Sequence, residues 1–197
     1  MQTKIVFLDA GTVDWKDQAF EPLKKIGRFK AHHHTFAPQV LKRVSGFNHV
    51  VVNKIIFDAD IFSKLKGVSA VHLAATGYNN IDLVAARANG IAVTNVRGYS
   101  TESVVQITFS SLLTLASRLS EYEKAVKSGK WSGQFFFALT QLPFSELAGK
   151  TLGIIGYGTI GKRVAEVAQA FGMRVIIAQM PGRSYSAAEK KNRLPLS

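Results

Sequence analysis

The sequence predicts an α/β protein with two mostly parallel, doubly wound sheets. Two observations support this class. Short apolar segments alternate with helical segments over residues 5–93, and a glycine-rich turn stands between a strand and a helix near residue 156. This alternation is typical of parallel sheets covered by helices on both faces.

The first region contains four apolar segments with the length of buried strands, at 5–8, 50–52, 71–75 and 91–93. Helical segments lie between them, at 15–26, 38–44, 59–65 and 83–88. Gly90 follows the last helix, where a glycine commonly ends one. Ligand crevices of such sheets lie at the carboxyl ends of the strands.

One strand end in this region is suited to binding a carboxylate. Ala75, Thr76 and Gly77 follow a predicted strand, so that successive backbone N–H groups can surround an anion. An ordinary strand-to-helix turn explains the same residues equally well. Asn80 and Asp82 are expected to be turn and helix-cap residues.

A long helix is predicted to begin the second region. Ser100 or Thr101 is a suitable cap, and an apolar stripe at helical spacing continues through Val105, Phe109, Leu112 and Ala116.

The glycine turn is predicted to bind a dinucleotide. A strand at 152–155 leads into Gly156, Gly158 and Gly161, which form G-x-G-x-x-G. The following helix has apolar residues at helical spacing from Ile160 to Phe171 and directs its free N–H groups at a pyrophosphate, and a second strand follows at 175–178. The strand before and the helix after the turn favour this interpretation over a glycine turn without a ligand.

The acidic residue expected at the end of the second strand is missing. Folds of this kind place a carboxylate there, about 20 residues past the glycines, to bind the adenosine ribose. This sequence has Gln179, which carries no charge, and Arg183 follows. Two interpretations remain open: a site that accepts a 2′-phosphate, or drift in a site no longer used.

Composition excludes several classes of protein. The net charge is +12 without any nucleic-acid-binding signature, so we expect no nucleic-acid partner and interpret the basic surface as attracting anionic ligands. Cysteine is absent, and the sequence has neither a signal peptide nor a membrane-length apolar run, so we expect a soluble cytoplasmic protein. His32, His33 and His34 are expected at a strand end or loop, and no metal site is predicted.

Four segments in order resemble the D-isomer-specific 2-hydroxyacid dehydrogenases, most closely the glycerate (hydroxypyruvate reductase) branch. They are AATGYNNIDL, NVRGYSTESVVQ, GKWSG and LAGKTLGIIGYGTIGKRVAEVAQAFGMRV. The resemblance implies a Rossmann-like (flavodoxin-like) substrate domain, residues 1–98. It also implies the N-terminal part of an incomplete NAD(P)-binding Rossmann domain, residues 99–197.

The resemblance also implies site residues and partners. Thr76 and Gly77 match the positions that hold the carboxylate of a small 2-hydroxy or 2-keto acid, and Lys54 matches a side chain near the pocket. Gly156, Gly158, Thr159, Ile160, Gly161 and Gln179 match the NAD or NADP site. A homodimer through the helix and aromatic arm at 100–148 is expected.

The sequence departs from the family pattern in several places. The catalytic arginine, glutamate and histidine of the family match positions beyond Ser197, so no catalytic residue is assigned. The C-terminal helix that the family returns to its first domain is also missing, and Ile107 stands where relatives often carry histidine. We expect a truncated gene product, a pseudogene product or a fragment, without activity by itself.

Two other interpretations remain. In one, the chain is a non-enzymatic nucleotide-binding scaffold, as in the C-terminal-binding-protein corepressors that resemble this family. In the other, it is a dimerisation remnant that pairs with a full-length relative.

The second sheet is expected to be cut after about two strands. Such a sheet is expected to expose Ile154, Ile155, Val175 and Ile177.

Overall fold

The computed structural model describes residues 2–13, 20–190 and 193–195. The chain divides into two compact units, Met1–Tyr99 and Ser100–Ser197. The boundary predicted from the sequence, between 98 and 99, lies one residue from this division. In the described part of the chain, no helix is both long enough and apolar enough to cross a membrane.

Unit 1 is built around a five-stranded parallel sheet. Its strands are β1 Lys4–Phe7, β2 Arg28–Ala31, β3 His49–Val52, β4 Ala70–Leu73 and β5 Ala92–Thr94. Its helices are α1 Glu21–Ile26, α2 Val40–Val44, α3 Ala59–Lys64 and α4 Leu83–Ala88. The strand order is β2-β1-β3-β4-β5, the order of flavodoxin-like sheets, and it confirms the predicted α/β class.

The core of unit 1 lies on one face of this sheet. Alternate side chains of the central strands, such as Val50 and Val71, are fully buried with Val40 of α2 and Phe62 of α3. The opposite face borders a groove of about 610 Å³. The groove is lined by α1 residues and by strand residues that include Ile5, Phe7, His49, Val51 and His72.

Side chains cap two helices of unit 1. The Asp58 carboxylate accepts a hydrogen bond from the Ile61 N–H (2.9 Å) at the start of α3. The Asp82 carboxylate accepts one from the Ala85 N–H (2.9 Å) at the start of α4, which confirms its predicted role as a cap.

Two elements of unit 1 differ from the sequence prediction. The pattern does not predict β2, because this strand lies at the sheet edge and only Phe29 of its four residues is even partly buried. The helix predicted at 15–26 is observed as α1, Glu21–Ile26, and residues 15–19 of that prediction lie outside the described residues.

Unit 2 contains a smaller parallel sheet of strand order β6-β7-β8. Its strands are β6 Thr151–Ile154, β7 Arg174–Ala178 and β8 Arg193–Leu194. Its helices are α5 Thr101–Ser117, α6 Leu119–Lys127, α7 Thr159–Ala170 and α8 Ala187–Lys190. The short strand β8 corrects the expectation of about two strands, because its two residues form a parallel ladder with β7.

Helix α7 determines which apolar residues of unit 2 are buried. It packs with α5 over the sheet, and the Phe109 and Phe171 rings stack with their centroids 5.5 Å apart. Ile154 is therefore only 8% exposed, which makes the prediction of its exposure wrong. Ile155 beside it is 67% exposed, as predicted.

Candidate functional site

The carboxyl ends of β1 and β3 form the point at which the strand order of unit 1 reverses. Ligands of doubly wound sheets bind outside such a point. Asp9 lies just past β1 and is buried. Its carboxylate accepts hydrogen bonds from the N–H groups of Asn53 (2.9 Å) and Lys54 (2.7 Å). The carboxylate thereby holds the first two residues of the loop after β3.

A polar network continues from Asp9 to the first turn after β1. The Asn53 amide donates to the Thr12 hydroxyl (2.9 Å), and this hydroxyl donates to the Asp9 carbonyl (2.8 Å). Within the described residues, the buried Asn53 Oδ1 has no hydrogen-bond partner. Sequence patterns do not identify Asp9, Thr12 and Asn53 as site residues. The signal that indicates Asp9 and Asn53 is a polar residue directly after a buried apolar strand.

The loop after β4 carries the predicted carboxylate site. Thr76 and Gly77 are both exposed. The Thr76 hydroxyl donates to the Val96 carbonyl (2.8 Å), and the Asn95 amide donates to the Thr76 carbonyl (2.7 Å). Among the described residues, neither the Thr76 nor the Gly77 N–H donates to a backbone carbonyl. Both N–H groups are therefore available to an anion.

Asn80 brings Lys54 next to this loop. Its side-chain amide donates to the carbonyls of Asn53 (3.3 Å) and Ile55 (2.8 Å), the two residues that flank Lys54. The Lys54 side chain is exposed. The three residues predicted to bind substrate thus lie on two loops that Asn80 joins, at one edge of the sheet.

The predicted glycine turn connects β6 to α7 in unit 2. Gly156 adopts a φ of 91°, a left-handed conformation that favours glycine. A Cβ atom on Gly161 would lie 2.2 Å from the Gly156 carbonyl oxygen, so only glycine allows the helix to approach the turn this closely. Both glycines are therefore required by the shape of the turn itself.

Gly158 differs from these two glycines. It is the N-cap of α7 and has ordinary extended backbone angles, with nothing within 4 Å of a Cβ placed on it. The space beside Gly158, on the outside of the turn, is therefore open. The first N–H groups of α7 follow directly in the chain. The residues present therefore fit a dinucleotide, whose pyrophosphate needs close backbone approach at this glycine.

Gln179 follows the end of β7, beside the glycine turn. Ile177 pairs with Ile154 in the neighbouring strand, and the Gln179 N–H donates to the Leu194 carbonyl (2.7 Å) of β8. Its side chain is half-buried. The predicted cofactor residues thus all lie in unit 2, while the predicted substrate residues all lie in unit 1.

The three consecutive histidines lie in the segment after β2, as predicted. The carbonyls of His32 and His33 accept hydrogen bonds from the N–H groups of Ala10 (2.9 Å) and Gly11 (3.0 Å). Burial lowers the pKa of His32, and the nearby Arg43 and Lys30 lower it further. In the described ranges, no three or more histidine, aspartate or glutamate side chains are grouped so that they could hold a metal ion.

Comparisons with known proteins find similar sequences and a similar fold over most of the chain. The family model described as D-isomer-specific 2-hydroxyacid dehydrogenase, catalytic domain, matches residues 5–189. A glycerate dehydrogenase of Methylorubrum extorquens is 33% identical over 89% of this chain and 55% of its own length. A hydroxypyruvate reductase of Blautia hydrogenotrophica is 34% identical over 88% of this chain and 55% of its own.

A solved structure shares the fold of the described chain. It is the D-lactate dehydrogenase of Aquifex aeolicus in complex with NAD and lactic acid, 28% identical, with a TM-score of 0.72. The match covers 98% of this chain and 56% of that one. The chain thus spans about half the length of the curated relatives it matches.

Proposed function

The chain belongs to the D-isomer-specific 2-hydroxyacid dehydrogenase family, and we propose that it carries two binding parts of an NAD(P)-dependent oxidoreductase of the glycerate or hydroxypyruvate type. These parts are the substrate loop in unit 1 and the dinucleotide turn in unit 2. The observation that carries this proposal is the turn, where two glycines are required by close packing and Gly158 leaves room for a ligand.

The dinucleotide binds through the backbone of α7 in this proposal. The N–H groups of Thr159, Ile160 and Gly161 lie in the first helical turn, where they have no acceptor within the helix. The positive end of the helix dipole adds to their attraction for a pyrophosphate. Gln179 then lies near the adenosine ribose.

The substrate binds through its carboxylate to the loop after β4. The N–H groups of Thr76 and Gly77 donate to its oxygens, and the Lys54 ammonium adds a positive charge from the adjoining loop. Asp9 acts indirectly, because its carboxylate holds the Lys54 backbone in place. The ligand class is a small 2-hydroxy or 2-keto acid.

A bound nicotinamide supplies hydride transfer to or from the hydroxyl-bearing carbon. The accompanying proton transfer requires an acid or base, which the family resemblance assigns to a histidine, with a glutamate and an arginine beside it. No residue of this sequence matches those three positions. We therefore expect the 197-residue chain to bind ligands without reducing hydroxypyruvate or glyoxylate.

We also propose a homodimer through the region 100–148. Phe135, Phe136 and Phe137 follow α6 and are 94%, 68% and 93% exposed. Three neighbouring exposed phenylalanines are unusual on a monomer surface and favour a protein interface. Sedimentation velocity tests this: replacing Phe135 and Phe137 by serine should convert a dimer to a monomer, whereas a native chain that sediments as a monomer contradicts the proposal.

Calorimetric titration with NADH and NADPH tests the dinucleotide site. Gly158→Ala should weaken binding by about tenfold or more, because its methyl group occupies space that the pyrophosphate needs. The matched control is Gly153→Ala on β6, where a Cβ meets only Ile176 at an ordinary 3.9 Å. Absence of binding by the native chain, or equal effects of the two variants, contradicts the proposal.

A further inference from the structure

The segment after β7 holds two arginines against one tyrosine ring. The Cζ atom of Arg193 lies 4.5 Å from the Tyr185 ring centroid, and that of Arg183 lies 5.7 Å from it. A guanidinium group within about 6 Å of an aromatic face is attracted to it. Tyr185 thus keeps two like charges close together. We call Arg183, Tyr185 and Arg193 the arginine–tyrosine cluster.

Backbone contacts hold this cluster at the end of β7. The Tyr185 hydroxyl accepts a hydrogen bond from the Met180 N–H (2.8 Å), and the Arg193 guanidinium donates to the Ala178 carbonyl (3.4 Å). Gln179 lies between these two contacts in the chain. Both arginines are therefore positioned around the residue that replaces the usual acid.

The cluster also reaches the glycine turn. The Arg193 guanidinium lies 5.8 Å from the ring centroid of Tyr157, which stands between Gly156 and Gly158. One arginine therefore contacts aromatic rings on both sides of the dinucleotide site, from the pyrophosphate turn to the segment after the second strand.

The local charge is positive. Glu189 is the nearby acid, and its carboxylate accepts hydrogen bonds from the Ser186 N–H (3.0 Å) and hydroxyl (3.0 Å). These hydrogen bonds are the main cause of a lowered pKa of Glu189, to which both arginines add. One carboxylate held by Ser186 faces two guanidinium groups, and Gln179 adds no negative charge.

We infer that the arginine–tyrosine cluster binds the 2′-phosphate of an adenosine ribose, so that unit 2 selects NADPH over NADH. This inference rests on the proposed dinucleotide site. A carboxylate at position 179 would repel that phosphate, and the amide of Gln179 does not. Arginine is suited to the role because its planar group donates two parallel hydrogen bonds to phosphate oxygens.

Calorimetric titration of the full chain with NADPH and NADH, each at low and high salt, tests the inference. NADPH should bind about tenfold more tightly or better, with the preference decreasing at high salt. Arg183→Ala should remove most of the preference by weakening NADPH alone. Because Arg183 is exposed, this variant should keep the native fold.

Two further variants complete the experiment. Gln179→Asp should reverse the preference by strengthening NADH and weakening NADPH. Arg174→Ala is the matched control, because it removes an exposed arginine from the opposite end of β7 and should leave the preference unchanged. If NADH binds as well as NADPH, or if the two arginine variants act alike, the inference is wrong while the dinucleotide site stands. If neither cofactor binds, both are wrong.

Discussion

The two units differ in how much of their sheet is buried. Within the described residues, the core cluster of unit 1 contains 14 buried residues and that of unit 2 contains seven. Of the side chains that the structure describes, the nine largest fully buried ones, among them Phe57, Phe62 and Leu73, all lie in unit 1. Since burial of apolar surface is the main stabilising contribution to folding, unit 1 should be the more stable unit.

Similar local patterns in the two units lead to different amounts of buried core. Both units contain strand, helix and parallel strand in succession. In unit 1 the central strands have paired neighbours on both sides, whereas β6 of unit 2 lies at one end of the described sheet. An edge strand has backbone groups without a partner strand and fewer side-chain neighbours.

The largest expected effect is the loss of a core aromatic residue. Phe57→Ala should reduce the free energy of unfolding of unit 1 by about 3–5 kcal/mol, because Phe57 is fully buried against Phe62. Phe109→Ala should cost unit 2 only about 2–3 kcal/mol, because the partly exposed Phe171 can move into the space.

Urea unfolding monitored by hydrogen exchange measures the change in the free energy of unfolding of each unit separately. The control is Val84→Ala on α4, which should cost less than about 0.5 kcal/mol, because Val84 is 81% exposed. Equal losses for Phe57→Ala and Phe109→Ala would remove the difference between the two cores.

The second effect is a difference in amide protection. The opening free energy of β6 should be lower than that of β4 by about 2 kcal/mol or more, because each fully buried large side chain contributes about 1.5–3 kcal/mol. Native-state hydrogen exchange at two protein concentrations measures this difference. Equal protection of the two strands at both concentrations contradicts it, and protection of β6 that rises with concentration indicates self-association.

The third effect concerns helix capping. Asp58→Ala and Asp82→Ala should each cost unit 1 about 1 kcal/mol, because each carboxylate accepts a backbone hydrogen bond at a helix start. Ser100→Ala is the control in unit 2, where the Ser100 side chain makes no capping hydrogen bond, and it should cost only a few tenths of that. A comparable loss in thermal unfolding for all three variants would show that capping does not distinguish the units.

The smallest effect should be a loss of stability at acid pH that is confined to unit 1. All five histidines lie in unit 1, and burial lowers the pKa of His72, with His49 (3.0 Å away) lowering it further. The unfolded chain therefore binds a proton at a higher pH than the folded chain does. The stability of unit 1 should be full above the ordinary histidine pKa and decrease as the pH falls through it.

Hydrogen exchange at pH 7 and pH 5, corrected for the intrinsic exchange rates, measures this response. The protection of β4 should decrease relative to that of β6, and His72→Gln should reduce the change. The response would be unrelated to His72 if this variant showed the native pH dependence.

Sequence patterns predicted the elements that have strong local signals. The buried strands, the capping of α4 by Asp82 and the glycine turn follow from apolar runs, a side-chain oxygen and three glycines. Strand β2 and the end of α5 lack such signals. The break between α5 and α6 occurs at Arg118, whose φ is 52°. This angle is unusual for a residue other than glycine, and the composition of the segment does not indicate a break there.

The α/β class and the positions of the candidate binding loops follow from the amino-acid sequence alone, because these features depend on residues close together in the chain. Three features depend on tertiary contacts instead: Asp9 holds Asn53 and Lys54, Asn80 joins two loops, and Arg193 reaches Tyr185 and Tyr157. These contacts join distant segments. They arise because parallel pairing brings the ends of β1 and β3, and of β7 and β8, to the same edge of each sheet.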